Sequence, residues 1–126
     1  MNIPFAIYHH PACLLHEIED HIEQPDRVDS ILVELRKHYK DSYFRLAPLV
    51  TRQQILRFHT ESHLKYLESL FTKFESSQKK SKKIATIDSD TAIMVHSQEA
   101  IYRAAGSVVA AVDDIFSMEN GVKKVM

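Results

Sequence analysis

Apolar positions in the second half of the chain recur with a helical period. Ile101, Ala104, Ala105, Val108, Val109, Val112, Ile115 and Phe116 follow the i, i+3, i+4, i+7 spacing of one helix face. Ser97 is placed to cap this helix, and Glu99 sets a negative charge in its first turn, where the helix dipole favours one. Ala104, Ala105, Gly106, Ser107, Ala110 and Ala111 are small, so another backbone can approach closely. The pattern predicts a helix that lies flat on a sheet. Ahead of it, the apolar run at 84–87 leads into Asp88-Ser89-Asp90-Thr91. Two carboxylates in a short loop between an apolar run and a helix allow two readings. One is a turn whose Asp side chains bond nearby backbone N–H groups. The other is a loop that presents a carboxylate to a substrate.

From the N-terminus, residues 3–8 are apolar on both faces (Ile3, Phe5, Ala6, Ile7), as in a strand buried in a parallel sheet, with Pro4 marking its start. A polar loop rich in histidine follows: His9, His10, Cys13, His16 and His21. Pro25 opens a helix whose stripe is Val28, Ile31, Leu32 and Leu35, running to about Tyr39. Arg27 lies in its first turn, where a cation opposes the dipole; a surface salt bridge or a separate task accounts for it. Residues 44–50 predict a second strand, broken by Pro48. Thr51 with Gln54 matches a capping box, so a helix starts at Arg52 and carries Ile55, Leu56 and Phe58. Thr60 caps another, striped by Leu64, Leu67, Leu70, Phe71 and Phe74. Residues 75–83 form a polar, solvated loop. Asn120-Gly121 reads as the stop of the long helix, and 122–126 as a strand beginning. Strand, helix, strand, helices, helix, strand is an α/β order that calls for a parallel sheet with helices on both faces. Three short strands leave such a sheet with bare edges.

At 126 residues the chain is at most one domain, and a domain of that size buries roughly two-thirds of its unfolded surface. The balance of 44% hydrophobic and 26% charged residues is that of a globular protein, and a net charge of −1 gives no electrostatic case for nucleic acid or membranes. Lys79, Lys80, Lys82 and Lys83 lack the interleaved aromatics of a nucleic-acid site. A single cysteine, Cys13, forms no internal disulfide and fits a reducing compartment. The N-terminus lacks the pattern of a signal peptide, and no apolar run approaches the ~20 residues of a membrane span. A cytoplasmic location is expected.

Three motifs, in order, carry a family resemblance. Tyr8-His9-His10-Pro11, Cys13-Leu14-Leu15-His16 and His21-Ile22-Glu23-Gln24-Pro25-Asp26-Arg27 resemble the opening loop and first helix of the histone deacetylase superfamily. Bacterial deacetylase-like proteins and acetylpolyamine amidohydrolases carry a related His-Pro-Glu-x-Pro-x-Arg core. Phe58-His59-Thr60 with His63, Tyr66 and Leu67 is similar to the family's φ-His-x-x-x-Tyr-Leu segment. Ile87-Asp88-Ser89-Asp90-Thr91, with Ser97, Glu99-Ala100 and Ala104-Ala105-Gly106, resembles its Asp-x-Asp-Thr loop and the helix after it.

The resemblance implies an arginase/deacetylase-type three-layer fold, of which residues 1–126 form one partial, N-terminal domain segment. Family members hydrolyse amides such as acetyl-lysine or acetylated polyamines. A zinc ion polarises the carbonyl, and paired histidines activate a water bound to it. It further implies that Asp90, with Asp88, lies at the substrate rim, that Arg27 and Tyr8 face an internal cavity, and that the loop bearing His16 and His21 forms one wall of the mouth. An Arg buried among backbone carbonyls there would hold or release acetate by bidentate bonds. The family's Gly-His-His pair, its Asp-x-His and later Asp zinc ligands and its catalytic Tyr all fall after the strand expected near Val122, and have no counterpart here. Ile22 also replaces the usual Pro. The local histidines with Cys13 offer a C-x-x-H spacing but no second pair to complete four zinc ligands. No catalytic residue, metal ligand or cofactor is therefore expected in this chain itself.

Two functions fit. The chain is the opening segment of a zinc-dependent amide hydrolase, inactive alone, and either truncated or completed by a C-terminal polypeptide. Alternatively it is a non-catalytic interaction module derived from a deacetylase, self-associating through apolar helix faces.

Overall fold

The computed structural model describes residues 5–117. The strand start at Ile3 and Pro4, the helix stop at Asn120-Gly121 and the strand over 122–126 lie outside those residues. The chain opens on β1 (Ile7–His9), which leads into a 3-10 turn (Pro11–Leu15) and a polar loop. Helix α1 (Pro25–His38) follows and crosses over to β2 (Phe44–Leu46). The two strands pair in parallel, with Ile7 opposite Phe44, Tyr8 opposite Arg45 and His9 opposite Leu46. This parallel pair with its crossover helix realises the α/β order read from the sequence. Ala47 N–H donates to the His9 carbonyl at 2.9 Å just past the ladder, and Pro48, which has no N–H to offer, ends it. Phe5, Tyr39 and Tyr43 cluster beside the pair, with both Phe5 contacts at 4.9 Å between centroids, and the Arg36 guanidinium stacks 5.2 Å above the Phe44 ring.

The capping box at Thr51 forms in both directions: Gln54 N–H donates to Thr51 Oγ1 at 3.2 Å and Thr51 N–H to Gln54 Oε1 at 2.9 Å. It starts only one turn, α2 (Arg52–Ile55), and the helix is shorter than the sequence pattern suggests. Phe58, expected on its stripe, is 89% exposed. Helix α3 (Glu61–Thr72) is capped by Thr60 Oγ1, which accepts from His63 N–H at 3.2 Å. Arg52 ties the two helices by pairing with both Glu61 and Glu68. Leu70, Phe71 and Phe74 then pack with Ile93 as a buried cluster, joined by Leu67, Ile87 and Tyr102.

Strands β3 (Ala85–Thr86) and β4 (Ala92–Ile93) form an antiparallel hairpin. The Asp88–Asp90 segment is its tip, not a connection straight into a helix. Two residues of strand were too few to give a periodic signal. Helix α4 (Ser97–Phe116) follows.

The buried residues of α4 are Ser97, Ala100, Gly106 and Ala111, all small. Gly106 lies opposite the branched stripe, whose Ile101, Val108, Val112, Ile115 and Phe116 are all exposed. The Gly106 side packs because it lets two backbones meet. Tyr102 O accepts from Val50 N–H at 3.0 Å, and Arg103 Nη1 donates to Ala47 O at 3.0 Å. An added Cβ at Gly106 would overlap the Pro48 carbonyl and lie 2.9 Å from Val50 N.

Candidate functional site

Three hydrogen-bonded contacts fasten the histidine-rich loop to the second half of the chain. The loop starts as a 3-10 turn because Pro11 pre-sets its backbone and His10 Nδ1 caps it, accepting from Ala12 N–H at 3.1 Å. Cys13 Sγ then faces the Ala100 carbonyl at 3.7 Å, and burial pushes its thiol pKa up. His16 Nδ1 lies 2.7 Å from Ser97 Oγ, and that oxygen accepts from Met94 N–H at 2.7 Å. The assignment that satisfies each partner has the Ser97 hydroxyl donating to a neutral His16 ring. Burial first, and then the neighbouring His21, holds His16 below its ordinary value of 6.5, in keeping with that tautomer.

The third contact closes the loop on the hairpin tip. His21 Nδ1 accepts from Glu23 N–H at 3.0 Å, and Nε2 lies 2.9 Å from the Asp90 carbonyl oxygen. A backbone N–H only donates and a carbonyl only accepts, so in this pair of contacts Nδ1 is the acceptor and Nε2 the donor. At the tip, Asp88 Oδ1 accepts from Asp90 N–H at 2.9 Å, and Ile87 N–H donates to the Thr91 carbonyl at 2.8 Å. The bond from Asp90 N–H, then that from Thr91, holds the Asp88 carboxyl below the usual carboxylate range. The two acids therefore differ. Asp88 spends its carboxylate on the turn, the first of the two readings. Asp90 is exposed and is gripped on both sides through its backbone. Its carboxylate takes no part in those two bonds.

The remaining residues assigned by resemblance sit elsewhere. The Tyr8 hydroxyl is buried, with no hydrogen-bond partner among the described residues. Arg27 is at the surface, paired with Glu23 at 2.9 Å, with both side chains more than half exposed. This is the salt-bridge reading of a first-turn cation. An open cavity of about 500 Å³ lies between the histidine loop and the 79–84 segment, floored by Leu14, Ile18, Ile84 and Met94. Among the described residues no three His, Cys, Asp or Glu side chains come together as a metal ion requires. Two contributors escaped sequence reading. Ser97, expected as a helix cap, is the first helical residue and serves instead as the anchor of His16. Arg103, which the sequence pattern does not mark, donates to Ala47 O and so holds the segment after β2.

A parallel strand pair linked by a crossover helix, with a loop pinned to an Asp-x-Asp-Thr hairpin tip, defines part of an α/β fold of the deacetylase type. The same fold occurs in the crystal structure of the HDA15 HD domain, at a TM-score of 0.79 and 23% sequence identity, over 99% of this chain and 34% of that one. The chain thus spans about a third of that domain's length. Residues 21–125 match the family model described as the histone deacetylase domain, and the chain belongs to that family. No curated protein matches it significantly in sequence. Among the described residues no helix is long and apolar enough to cross a membrane.

Proposed function

We propose that this chain furnishes the mouth and scaffold of a zinc-dependent amide hydrolase that removes acetyl or other acyl groups from lysine- or polyamine-type amides. The observation that carries the reading is the bond from His21 Nε2–H to the Asp90 carbonyl. It joins two segments 69 residues apart and fixes the exposed Asp90 at the edge of the loop. A carboxylate held this way accepts hydrogen bonds from backbone N–H groups of an extended substrate, and such bonds orient the amide without taking part in its cleavage. Positioning is the role of these residues. The metal ligands and the acid–base pair belong to the part of the domain outside this chain, and a polypeptide carrying that part is the required partner. Alone, the chain is inactive. A cytoplasmic location accords with its one unpaired thiol.

The test is a graft. The chain replaces the corresponding segment of a complete, active histone deacetylase domain, and turnover of an acetyl-lysine peptide is followed. The graft is expected to show chelator-sensitive turnover, with Asp90→Ala raising KM several-fold and leaving the metal content unchanged. A folded, zinc-loaded graft whose KM and kcat are indifferent to Asp90→Ala rejects the assignment.

A further inference from the structure

The open cavity of about 500 Å³ beside the histidine loop has walls of opposite charge. Glu17 and Glu19 line it on the loop side, and Lys79, Lys80 and Lys82 on the other. All five are exposed, and among the described residues neither acid pairs with any of these lysines. Both walls are anchored. The loop side is tied to α4 through Cys13 and His16. On the lysine side, His96 Nε2 donates to the Lys79 carbonyl at 2.8 Å. Ser81 N–H donates to Gln78 O at 2.8 Å, and Ser81 Oγ accepts from Lys83 N–H at 3.2 Å. A run of lysines on a solvated loop is ordinary. Lysines anchored across an apolar-floored cavity from two unpaired acids are not, because the gap keeps apart charges that would otherwise meet.

From this arrangement we infer that the cavity is an exosite for the peptide flanking the scissile amide, and that it reads alternating charge. A basic side chain of that peptide turns to Glu17 and Glu19, and an acidic one to Lys79, Lys80 and Lys82. The inference rests on the function proposed above and deepens it by naming the substrate class, peptides in place of polyamines. In an extended chain successive side chains point to opposite sides, so one strand serves both walls at once. Its aliphatic stems cover the floor of Ile18, Ile84 and Met94. A cavity of this volume takes a ligand of a few residues. A polyamine brings cations alone and meets the lysines; a polyanion meets the glutamates. The exosite adjoins the mouth through the loop itself, for Glu19 stands next but one to His21, whose ring holds the Asp90 backbone. A single exposed ion pair contributes little, but two or three together are worth about tenfold in affinity.

The test reads binding to the whole chain by fluorescence anisotropy, without zinc and without turnover. The probes are three short labelled peptides with a central acetyl-lysine, flanked by alternating Lys and Glu, by Lys only, or by Glu only. The alternating peptide is expected to bind about tenfold more tightly than either of the others. Lys79→Glu, Lys80→Glu and Lys82→Glu together make both walls acidic and should pass the preference to the Lys-only peptide. Glu17→Lys with Glu19→Lys should pass it to the Glu-only peptide. All five substitutions exchange the walls and should restore the preference for alternation, which damage to the fold would not do. Equal binding of the three peptides by the folded chain, or a preference that wall reversal leaves in place, overturns the inference. Acetylspermidine that displaces the alternating peptide as well as the unlabelled peptide does overturns it too. A graft that fails to turn over, made from a chain that keeps this charge preference, counts against the hydrolase reading alone and upholds the exosite.

Discussion

Gly106 of α4 lies directly against the carbonyl of Pro48, so closely that a methyl group cannot stand between them. The contact lets Val50 N–H reach the Tyr102 carbonyl and Arg103 reach Ala47. It thereby fixes the long helix relative to the end of β2. Gly106→Ala should therefore destabilise the chain, although Ala is favoured over Gly in a helix by roughly 1 kcal/mol. Overlap with a backbone cannot be relieved by a rotamer change, and a net loss on the order of 1–3 kcal/mol is expected. Urea unfolding measures it; an unchanged or higher midpoint would show that the two segments separate at no cost.

Ser97 serves two partners from a fully buried position. Ser97→Ala leaves Met94 N–H without its acceptor, which costs about 1–3 kcal/mol for a buried donor. A His16→Ala, Ser97→Ala double-mutant cycle should give a coupling of about 0.5 kcal/mol or more. Additive effects would mean that the loop and the helix are not joined through this bond.

Stability should fall on mild acidification. His16 and His9 are both held below 6.5 chiefly by burial. A folded value below the unfolded one means that the unfolded chain takes up a proton that the folded chain refuses. Stability is then complete above 6.5 and is lost as the pH drops through 6.5 toward the folded values. His16→Gln, which keeps an acceptor for Ser97, should flatten the fall in urea midpoint between about pH 7.5 and about pH 5. A profile with the same slope in the variant assigns the effect to other groups.

Cys13 should behave as a shielded thiol. Its raised pKa lowers the reactive thiolate fraction at neutral pH. Alkylation of the native chain is expected to be several-fold slower than in urea, and to speed up in Ser97→Ala if the loop loosens. Equal native and denatured rates would contradict the packing of the turn on α4.

The elements that announced themselves in the sequence are those with local signals. Pro25, the Thr51/Gln54 pair and Thr60 mark helix starts through chemistry within one turn, and all three starts fall where expected. The hairpin was missed because Ala92–Ile93 is too short to show alternation. The small residues of α4 foretold a close backbone approach, which Gly106 makes, but periodicity locates an apolar stripe without saying what covers it. Asp88 and Asp90 share a residue type, but only the fold separates the one that closes the turn from the one that stays open. The His16–Ser97 bond spans 81 residues, and neither residue carries a mark of the other. The family motifs name both the loop and the Asp tip, and the His21–Asp90 contact joins these two segments.

Turnover by the chain alone bears most directly on its role as mouth and scaffold without a reaction centre. The purified chain, given zinc and a fluorogenic acetyl-lysine peptide, is assayed before and after a chelator. The predicted result is no zinc-dependent release of product at any protein concentration. Chelator-sensitive turnover that follows the concentration of purified chain would contradict the account, because it would place metal ligands and acid–base groups within these 126 residues.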